Sequence, residues 1–397
     1  MREQFSTNTR IRSGQLLSRR SFVGGLALGV TVLGAAGLSG GLLAACSGQG
    51  TETGSATDTG STGGRTLRLT TEGVPASLDP NFVFDGTSGG IIKATTAALF
   101  RIGADGIAHP DLADTYEISD DGLVYTVTLK ETSWASGSPV TAHDFVFSWK
   151  RLADPANAFG LSYLLSAAGV KNAGAILAGE KPVDDLGVVA LDDKTLEITL
   201  EHPTPYVERV LSNVSFYPIE QAFFEAQGGA WGTSPETYNA NGPYKLSSYQ
   251  PGSTITELVK NPDYYDADKV PFDKLTFQVI TDTQQTLLAF LDDEIDIASV
   301  AGDQINLYKD DPRLVQVLSG QVYYLALNTI IPGLESPKLR QALGLAIDKD
   351  YLVESILNDG SVAAAGFVPR NYAFDSQGTD FRDVAGVYQV ADKEKAA

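Results

Sequence analysis

The stretch LVYTVTLK, residues 123–130, alternates apolar and polar side chains. In a β-strand, Tyr125, Val127 and Leu129 would share one face, because successive side chains of a strand point to opposite sides. The stretch TLEITLE, residues 195–201, shows the same alternation. Both stretches therefore predict half-buried strands, with one face in a core and the other in water.

Two further stretches predict helices. Thr141 with Asp144 three residues later is a capping pair, and Ser336 before Pro337 pairs a capping serine with a proline at the first helical position. With the strands, these helices place the chain in the α/β class. Apolar residues expected to face a core are Phe145, Val146, Trp149 and Leu152 in the first helix, and Leu339, Ala342, Leu343, Ala346 and Ile347 in the second.

The composition is that of an acidic globular protein. Of the 397 residues, 43% are hydrophobic, and 49 acidic residues against 29 basic ones give a net charge of -20. The length predicts two or three domains. A chain of this charge repels polyphosphates, so we expect no nucleic-acid partner.

The sequence contains no recognisable catalytic or metal-binding motif. Its three histidines, His109, His143 and His202, are scattered singly, and neither a Gly-x-Ser-x-Gly motif nor a glycine-rich phosphate loop occurs. We therefore expect no enzyme activity, no metal site and no cofactor. Adjacent carboxylates are interpreted as turn and surface residues rather than as acid–base pairs; they are Asp120 with Asp121, Asp192 with Asp193, and Asp292 with Asp293.

The N-terminal residues predict an export signal. Five arginines precede an uncharged run over residues 22–45, which is the pattern of a signal peptide. Arg19 and Arg20 resemble the twin-arginine export motif. An uncleaved transmembrane helix is the alternative, because the run is long enough to span a bilayer. Its many glycines, however, disfavour a stable helix.

Cys46, the only cysteine of the chain, ends the stretch LAAC. This stretch resembles a bacterial lipobox, in which the signal is cut before the cysteine and the cysteine is acylated. Residues 1–45 are thus expected to be a signal peptide, Cys46 the lipidation site, and residues 46–64, rich in Gly, Ser and Thr, a flexible linker. The lipid would anchor the protein to the outer face of the bacterial cytoplasmic membrane.

Eight stretches occur in the order typical of the extracellular solute-binding proteins of peptide-type ABC importers, and the chain resembles that family, solute-binding protein family 5, over residues 67–370. The resemblance implies a two-lobed periplasmic-binding-protein clamp with an extra inserted lobe. Such a protein is a monomer that captures an oligopeptide or dipeptide and delivers it to a permease and ATPase complex. The stretches are SLDP (77–80), HPDLADTYEISDDGLVYTVTLK (109–130), WASGSPVTAHDFVFSWKRLADP (134–155), LGVVALDDKTLEITLEHPTPY (186–206), NGPYKL (241–246), KNPDYYDA (260–267), YYLALNT (323–329) and LRQALGLAIDKDYL (339–352).

The resemblance also implies how the chain divides into lobes. Lobe I would be discontinuous, formed by residues 65–100 and 222–320, and lobe II would be inserted as residues 101–221. Residues 321–397 would begin lobe III. Because the family continues well beyond this point, we expect the C-terminal part to be missing and the residues after 321 to be loosely held.

The family resemblance suggests the ligand contacts as well. Charged positions near the cleft of well-known oligopeptide binders correspond here to Ser88, Ala326 and Leu357, so we expect no ion pair with the ligand at these positions. The aspartate that meets the ligand's α-amino group in the family would lie beyond residue 397. The remaining candidate contacts are Tyr163 in lobe II, Ser299, and Tyr323, Tyr324 and Asn328 at the crossing into lobe III.

Other functions stay open on the sequence alone. The same family includes binders of nickel chelates, haem and sugars. A surface peptide receptor or a chaperone would use the same clamp without an importer. An exported hydrolase would need a nucleophile, a metal or a carboxylate pair in one cleft.

The lipobox leads to a test of the anchor. Replacing Cys46 by Ala removes the thiol that would carry the lipid, so the Cys46→Ala protein should leave the membrane fraction for the medium or periplasm. Fractionation followed by immunoblotting measures this. Equal membrane retention of variant and wild type would favour the transmembrane helix instead.

Overall fold

The computed structural model describes residues 64–317, 320–370, 372–375, 377–387 and 391–396. The predicted signal peptide, Cys46 and nearly all of the predicted linker lie outside these residues. Among the described residues, no helix has the length and apolar character needed to span a membrane.

The strands are short and fall mainly in the first two thirds of the described chain. They are β1 (Thr66–Thr71), β2 (Phe100–Ile102), β3 (Ala108–Pro110), β4 (Ala113–Ile118), β5 (Val124–Leu129), β6 (Val188–Ala190), β7 (Thr195–Thr199), β8 (Tyr244–Ser248), β9 (Ile255–Lys260) and β10 (Lys274–Val279).

The α-helices alternate with these strands and continue after them. They are α1 (Gly86–Thr95), α2 (Ala142–Ala153), α3 (Leu164–Ala167), α4 (Ala173–Leu177), α5 (Val207–Leu211), α6 (Gln221–Gln227), α7 (Thr283–Leu291), α8 (Asp303–Tyr308), α9 (Pro337–Ala346), α10 (Lys349–Tyr351), α11 (Phe381–Ala385) and α12 (Lys393–Ala396). A π-helical turn, Leu352–Leu357, follows α10.

Two four-stranded sheets organise the described strands. One has the order β1-β10-β9-β8, in which β1 runs parallel to β10 and the other neighbours are antiparallel. The other has the order β4-β5-β7-β6 and is antiparallel throughout. Strands β2 and β3 form a separate antiparallel pair. The first sheet therefore joins the start of the described chain to strands about 200 residues later.

The strand predictions are confirmed. Tyr125, Val127 and Leu129 of β5 are buried, whereas Thr128 on the opposite face is exposed. Leu196 of β7 lies directly across from Val127, so the two predicted apolar faces are one continuous surface. This surface belongs to a hydrophobic core that also contains α2. A second core surrounds α1 and the sheet of β8, β9 and β10.

The first predicted helix is confirmed in its start and in its buried face. Thr141 and Asp144 form a capping box at the start of α2, with the Thr141 amide donating to the Asp144 carboxylate at 2.8 Å. Phe145, Trp149 and Leu152 are fully buried. Val146 is partly buried against the same core.

The second predicted helix, α9, has the expected start but not the expected buried face. Ser336 caps the helix, and Pro337 is its first residue. Leu339 and Leu343, however, are both 42% exposed, and Ile347 lies after the last helical residue. An apolar helix face becomes buried only against a facing layer, and the described residues after Ile295 include a single buried residue, Asp380.

A network of polar contacts joins the two cores. The Arg151 guanidinium in α2 donates to both carboxylate oxygens of Asp79, at 2.5 and 2.9 Å, and to Asn81 Oδ1 at 2.8 Å. Its two ring contacts are with Phe159, at 4.7 Å, and Phe224, at 4.8 Å. Asp79 belongs to the SLDP stretch beside the second core, so this cluster ties that stretch to the helix of the first core.

This network predicts a large effect of removing Arg151. Arg151→Ala should lower the free energy of unfolding by about 3 to 5 kcal/mol, because it leaves the Asp79 carboxylate largely buried without its partner. The matched control is Lys150→Ala, which breaks the solvent-exposed pair with Asp184 and should have a much smaller effect on the free energy of unfolding. Urea denaturation measures both, and equal losses for the two variants would contradict the assignment.

Asp144 is a buried acid in the first turn of α2. Its carboxylate accepts hydrogen bonds from the Thr141 amide and from Trp134 Nε1, at 2.8 and 3.1 Å. Burial raises the pKa of Asp144 to about 6, and the nearby Glu220 adds to this rise. Protonation of Asp144 therefore stabilises the folded state. That contribution is complete below about pH 3.8, the ordinary pKa of the group, and is lost as the pH rises through about 6.

The raised pKa predicts a pH-dependent difference between the wild type and Asp144→Asn. The asparagine keeps the acceptor oxygen but does not ionise, so the wild type should lose up to about 2 to 3 kcal/mol relative to the variant between pH 4 and pH 7. Asp120→Asn, at an exposed turn position, should keep the wild-type pH profile. Parallel profiles for wild type and Asp144→Asn, from denaturation at a series of pH values, would exclude the proposed burial effect.

Candidate functional site

The candidate site lies at one edge of the first sheet. Because β1 and β10 are parallel, their carboxyl ends meet at the same edge, and the Ile280 amide after β10 donates to the Thr71 carbonyl at 3.1 Å. We call residues 72–76 and 280–282, which follow these two strands, the sheet rim. In open α/β sheets, ligands bind outside the carboxyl ends of the strands. Val74 on the rim is 44% exposed.

Among the described residues, the side of β1 away from β10 receives main-chain hydrogen bonds at Arg68. The Arg68 amide donates to the Asp296 carboxylate at 2.7 Å, and the Arg68 carbonyl accepts from the Asp296 amide at 2.9 Å. The Arg68 guanidinium also pairs with Asp296, at 2.9 Å. Just before this contact, Asp293 has a φ of 62°, a left-handed conformation that Asp adopts more readily than most residues. The turn thus brings the stretch DEID, residues 293–296, against β1.

Beyond Arg68, the described residues place no paired strand on this edge of β1. Main-chain groups of a strand alternate in direction, so Thr70 faces the same way as Arg68, away from β10. Within the part of the chain that the structure describes, no main-chain hydrogen bond reaches Thr70 or Glu72 from that side. An unpaired strand edge is a template on which an extended peptide can add as a further strand.

Asp111 holds the strand pair β2 and β3 near the first core. Its buried carboxylate accepts from the Ala98 amide at 2.9 Å, from Arg101 at 3.0 Å and from the Tyr265 hydroxyl at 2.5 Å. Lys130 lies over the Tyr265 ring at 4.6 Å. Burial, together with the Asp111 charge, raises the pKa of Tyr265, so its hydroxyl stays a donor at neutral pH. Asp111 therefore serves the fold and is not available to a ligand.

A groove of about 600 Å³ lies elsewhere, along α2 and α6. Arg151 and Lys150 line it together with Phe147 and Phe224. Both cations are already paired, Arg151 with Asp79 and Lys150 with Asp184 at 2.7 Å. The groove therefore presents no unpaired cation to a ligand, and we favour the sheet rim as the site.

The predicted contact residues are exposed and lie on three segments of the chain, one with Tyr163, one with Ser299 and one with Tyr323, Tyr324 and Asn328. Tyr163 precedes α3 and Ser299 follows the Asp296 contact. Tyr324 packs its ring edge against Phe367 at 5.5 Å. In the described ranges no hydrogen bond or ring contact joins any two of the predicted residues, so their grouping stays a prediction. The full set is Tyr163, Ser299, Tyr323, Tyr324 and Asn328.

Sequence reasoning missed the open edge of β1. The alternating stretch TLRLTT of β1 indicates a strand, but it does not indicate which strand pairs with it or on which side. Arg68 and Asp296 are 228 residues apart, and nothing in the intervening sequence marks them as partners.

Comparisons with known proteins connect this fold to one family. The family model described as "Bacterial extracellular solute-binding proteins, family 5 Middle" matches residues 108–397. The oligopeptide-binding protein OppA of Bacillus subtilis is 33% identical over 336 residues, which cover 83% of this chain and 61% of the relative. The dipeptide-binding protein DppE of the same organism is 30% identical and also covered to 61%. The chain thus spans about three fifths of the length of these relatives.

Solved structures agree with the sequence comparisons. Listeria monocytogenes OppA bound to peptide matches with a TM-score of 0.75 and 31% identity, over 84% of this chain and 67% of that one. The pheromone receptor PrgZ matches with the same TM-score and 30% identity, over 84% and 66%. These neighbours confirm the predicted α/β fold of the two-lobed, peptide-type binding proteins. The chain therefore belongs to the bacterial extracellular solute-binding proteins, family 5.

Proposed function

We propose that this chain captures peptides outside the cytoplasmic membrane and hands them to an ABC permease and its ATPase. The observation that carries this proposal is the open edge of β1 at the sheet rim, in a chain that belongs to a solute-binding family. Relatives named for oligopeptides and dipeptides and a neighbour solved with peptide support the ligand class. A strand edge that binds a peptide through main-chain hydrogen bonds allows broad selectivity, because every peptide carries the same main-chain groups.

The finer features of this function are also proposals. We propose that the five candidate contact residues line the cleft; they are Tyr163, Ser299, Tyr323, Tyr324 and Asn328. We also propose that the chain divides into lobe I (65–100 and 222–320), inserted lobe II (101–221) and lobe III (from 321). The monomeric state and the lipid anchor at Cys46 belong to the same proposal. Their support is the family resemblance and, for the anchor, the lipobox at the end of an uncharged run.

One sequence relative and one structural neighbour give a reason to test other ligands and another role. A probable deoxycholate-binding periplasmic protein, YgiS of Escherichia coli, is 31% identical over 71% of this chain. The structural neighbour PrgZ is titled a pheromone receptor. A bile-acid binder and a peptide receptor without an importer are therefore the alternatives that the experiment must separate from a peptide importer.

The ligand class is tested by what the full-length protein carries. The protein is purified natively, denatured and extracted, and the released molecules are identified by mass spectrometry. We expect peptides in near-stoichiometric amount, and titration calorimetry with tetra-alanine should show saturable binding. Release of a bile acid or a chelate, with no heat from peptides, would contradict the proposal. Adjacent permease and ATPase genes separate an importer from a receptor.

The role of the β1 edge is tested by proline substitution. Thr70→Pro removes the outward amide without touching the bonds to β10, and proline is tolerated where a strand N–H faces outward. If peptide pairs there, its affinity should fall by about tenfold. Thr66→Pro removes an outward amide at the other end of the same edge and should leave affinity unchanged. Equal affinities in the two variants would exclude pairing at Thr70.

A further inference from the structure

A turn at residues 134–138 is bonded to the second hydrophobic core. The Ala135 amide donates to the carbonyl of Ala240, a buried residue of that core, at 2.6 Å. The Ser136 amide donates to Asn239 Oδ1 at 3.1 Å. We call residues 134–138 the junction turn, because the turn also carries a residue of the first core.

Two carboxylates hold the junction turn through side-chain contacts. Trp134, the residue of the turn that belongs to the first core, donates its indole N–H to Asp144 Oδ2 at 3.1 Å. Ser138 donates its hydroxyl to Glu220 Oε1 at 2.5 Å, and Asn239 donates its side-chain amide to Glu220 Oε2. The contact between the two cores therefore brings two acidic groups to one turn.

No cation is paired with these two acids among the described residues: neither Asp144 nor Glu220 forms an ion pair there. The junction turn contains no ionisable side chain. His143, the neighbour of Asp144 on α2, is exposed and lies 3.4 Å from Asp193. Tyr238 lines a small cavity together with Glu220 and is neutral at pH 7, because burial raises its pKa. Asp144 and Glu220 therefore repel each other when both are ionised.

Burial makes the ionised form of Asp144 costly in the closed junction. The residue is only 7% exposed, and burial, with a contribution from the Glu220 charge, raises the pKa of Asp144 to about 6. Local opening of the turn lets water reach the carboxylate and returns the pKa towards 3.8. The stabilisation of the closed turn is therefore complete below about pH 3.8 and is lost as the pH rises through about 6.

We propose that the junction turn is a proton-linked contact between the two cores: it joins them most firmly when Asp144 carries a proton, and it opens more often when Asp144 and Glu220 are both ionised. A protein of an extracellular family meets the pH of the medium, so the medium sets how firmly this contact holds. This inference concerns the fold and does not rest on the proposed function.

Amide hydrogen exchange at Ala135 and Ser136 reports opening of the junction turn, because both amides donate across it. Exchange is measured on the full chain at pH 5 and pH 8 and expressed as protection factors, which remove the pH dependence of the intrinsic rate. The reference amide is that of Gly122, which donates to the Ser119 carbonyl within another turn, at 2.8 Å. Thermal melting at both pH values shows that each protein is folded.

Three variants are compared with the wild type: Asp144→Asn, Glu220→Gln and the matched control Glu117→Gln, at an exposed position of β4. In the wild type, protection of the two junction amides should fall about tenfold more than that of the reference amide between pH 5 and pH 8. Asp144→Asn should abolish this fall, because asparagine does not ionise. Glu220→Gln should reduce the fall to about threefold, because the burial of Asp144 remains but the repulsion is removed. The control should keep the wild-type fall.

Constant protection of the junction amides in the wild type would overturn the inference without the use of any variant. A folded Asp144→Asn protein that keeps the full fall would overturn it too, since another group would then be titrating. A full fall in Glu220→Gln would equally overturn the pairing of the two carboxylates on which the inference depends.

Discussion

The contact between Arg151 and Asp79 is the constraint on which the arrangement of the two cores depends. A guanidinium withdrawn from water needs hydrogen-bond acceptors for its donors and an opposite charge. Here Asp79 supplies two acceptors, Asn81 supplies a third, and the rings of Phe159 and Phe224 provide the remaining contacts. Asn81 in turn donates to Ser148 and to the Ser215 carbonyl. Any shift of α2 relative to the SLDP stretch would break several of these contacts together.

The same pairing of a cation with a distant carboxylate recurs where the candidate site is built. Arg68 of β1 meets Asp296, which lies 228 residues along the chain. In a chain with a net charge of -20, Arg68 neutralises one carboxylate of the stretch 293–296, which this contact holds against β1. The ionic contact therefore holds β1 on the side away from β10, and Ser88 holds the segment that follows β1 by accepting from the Ala76 and Ser77 amides.

Helices α2 and α9 and strands β5 and β7 show which structural features could be predicted from the sequence. The capping box of α2 and the buried faces of β5 and β7 follow from patterns a few residues long, and both are confirmed. The start of α9 follows from an equally local signal, Ser336 with Pro337, and is also confirmed. The prediction of a buried face on α9 was wrong. Burial of a helix face depends on a second layer of structure packed against it, and the sequence pattern of one helix does not specify that layer.

The sequence by itself determined the class of secondary structure, the starts of the main helices, the inward faces of the central strands and, through eight ordered stretches, the family. These features depend on neighbouring residues or on similarity along the chain, so the one-dimensional pattern carries them. Only the tertiary structure decided that β1 pairs with β10, that Asp296 contacts the opposite edge of β1 at Arg68, and that Ser88 accepts from the main chain of Ala76 and Ser77. Contacts across more than 200 residues depend on how the chain is packed, and no local pattern of side chains specifies such a partner.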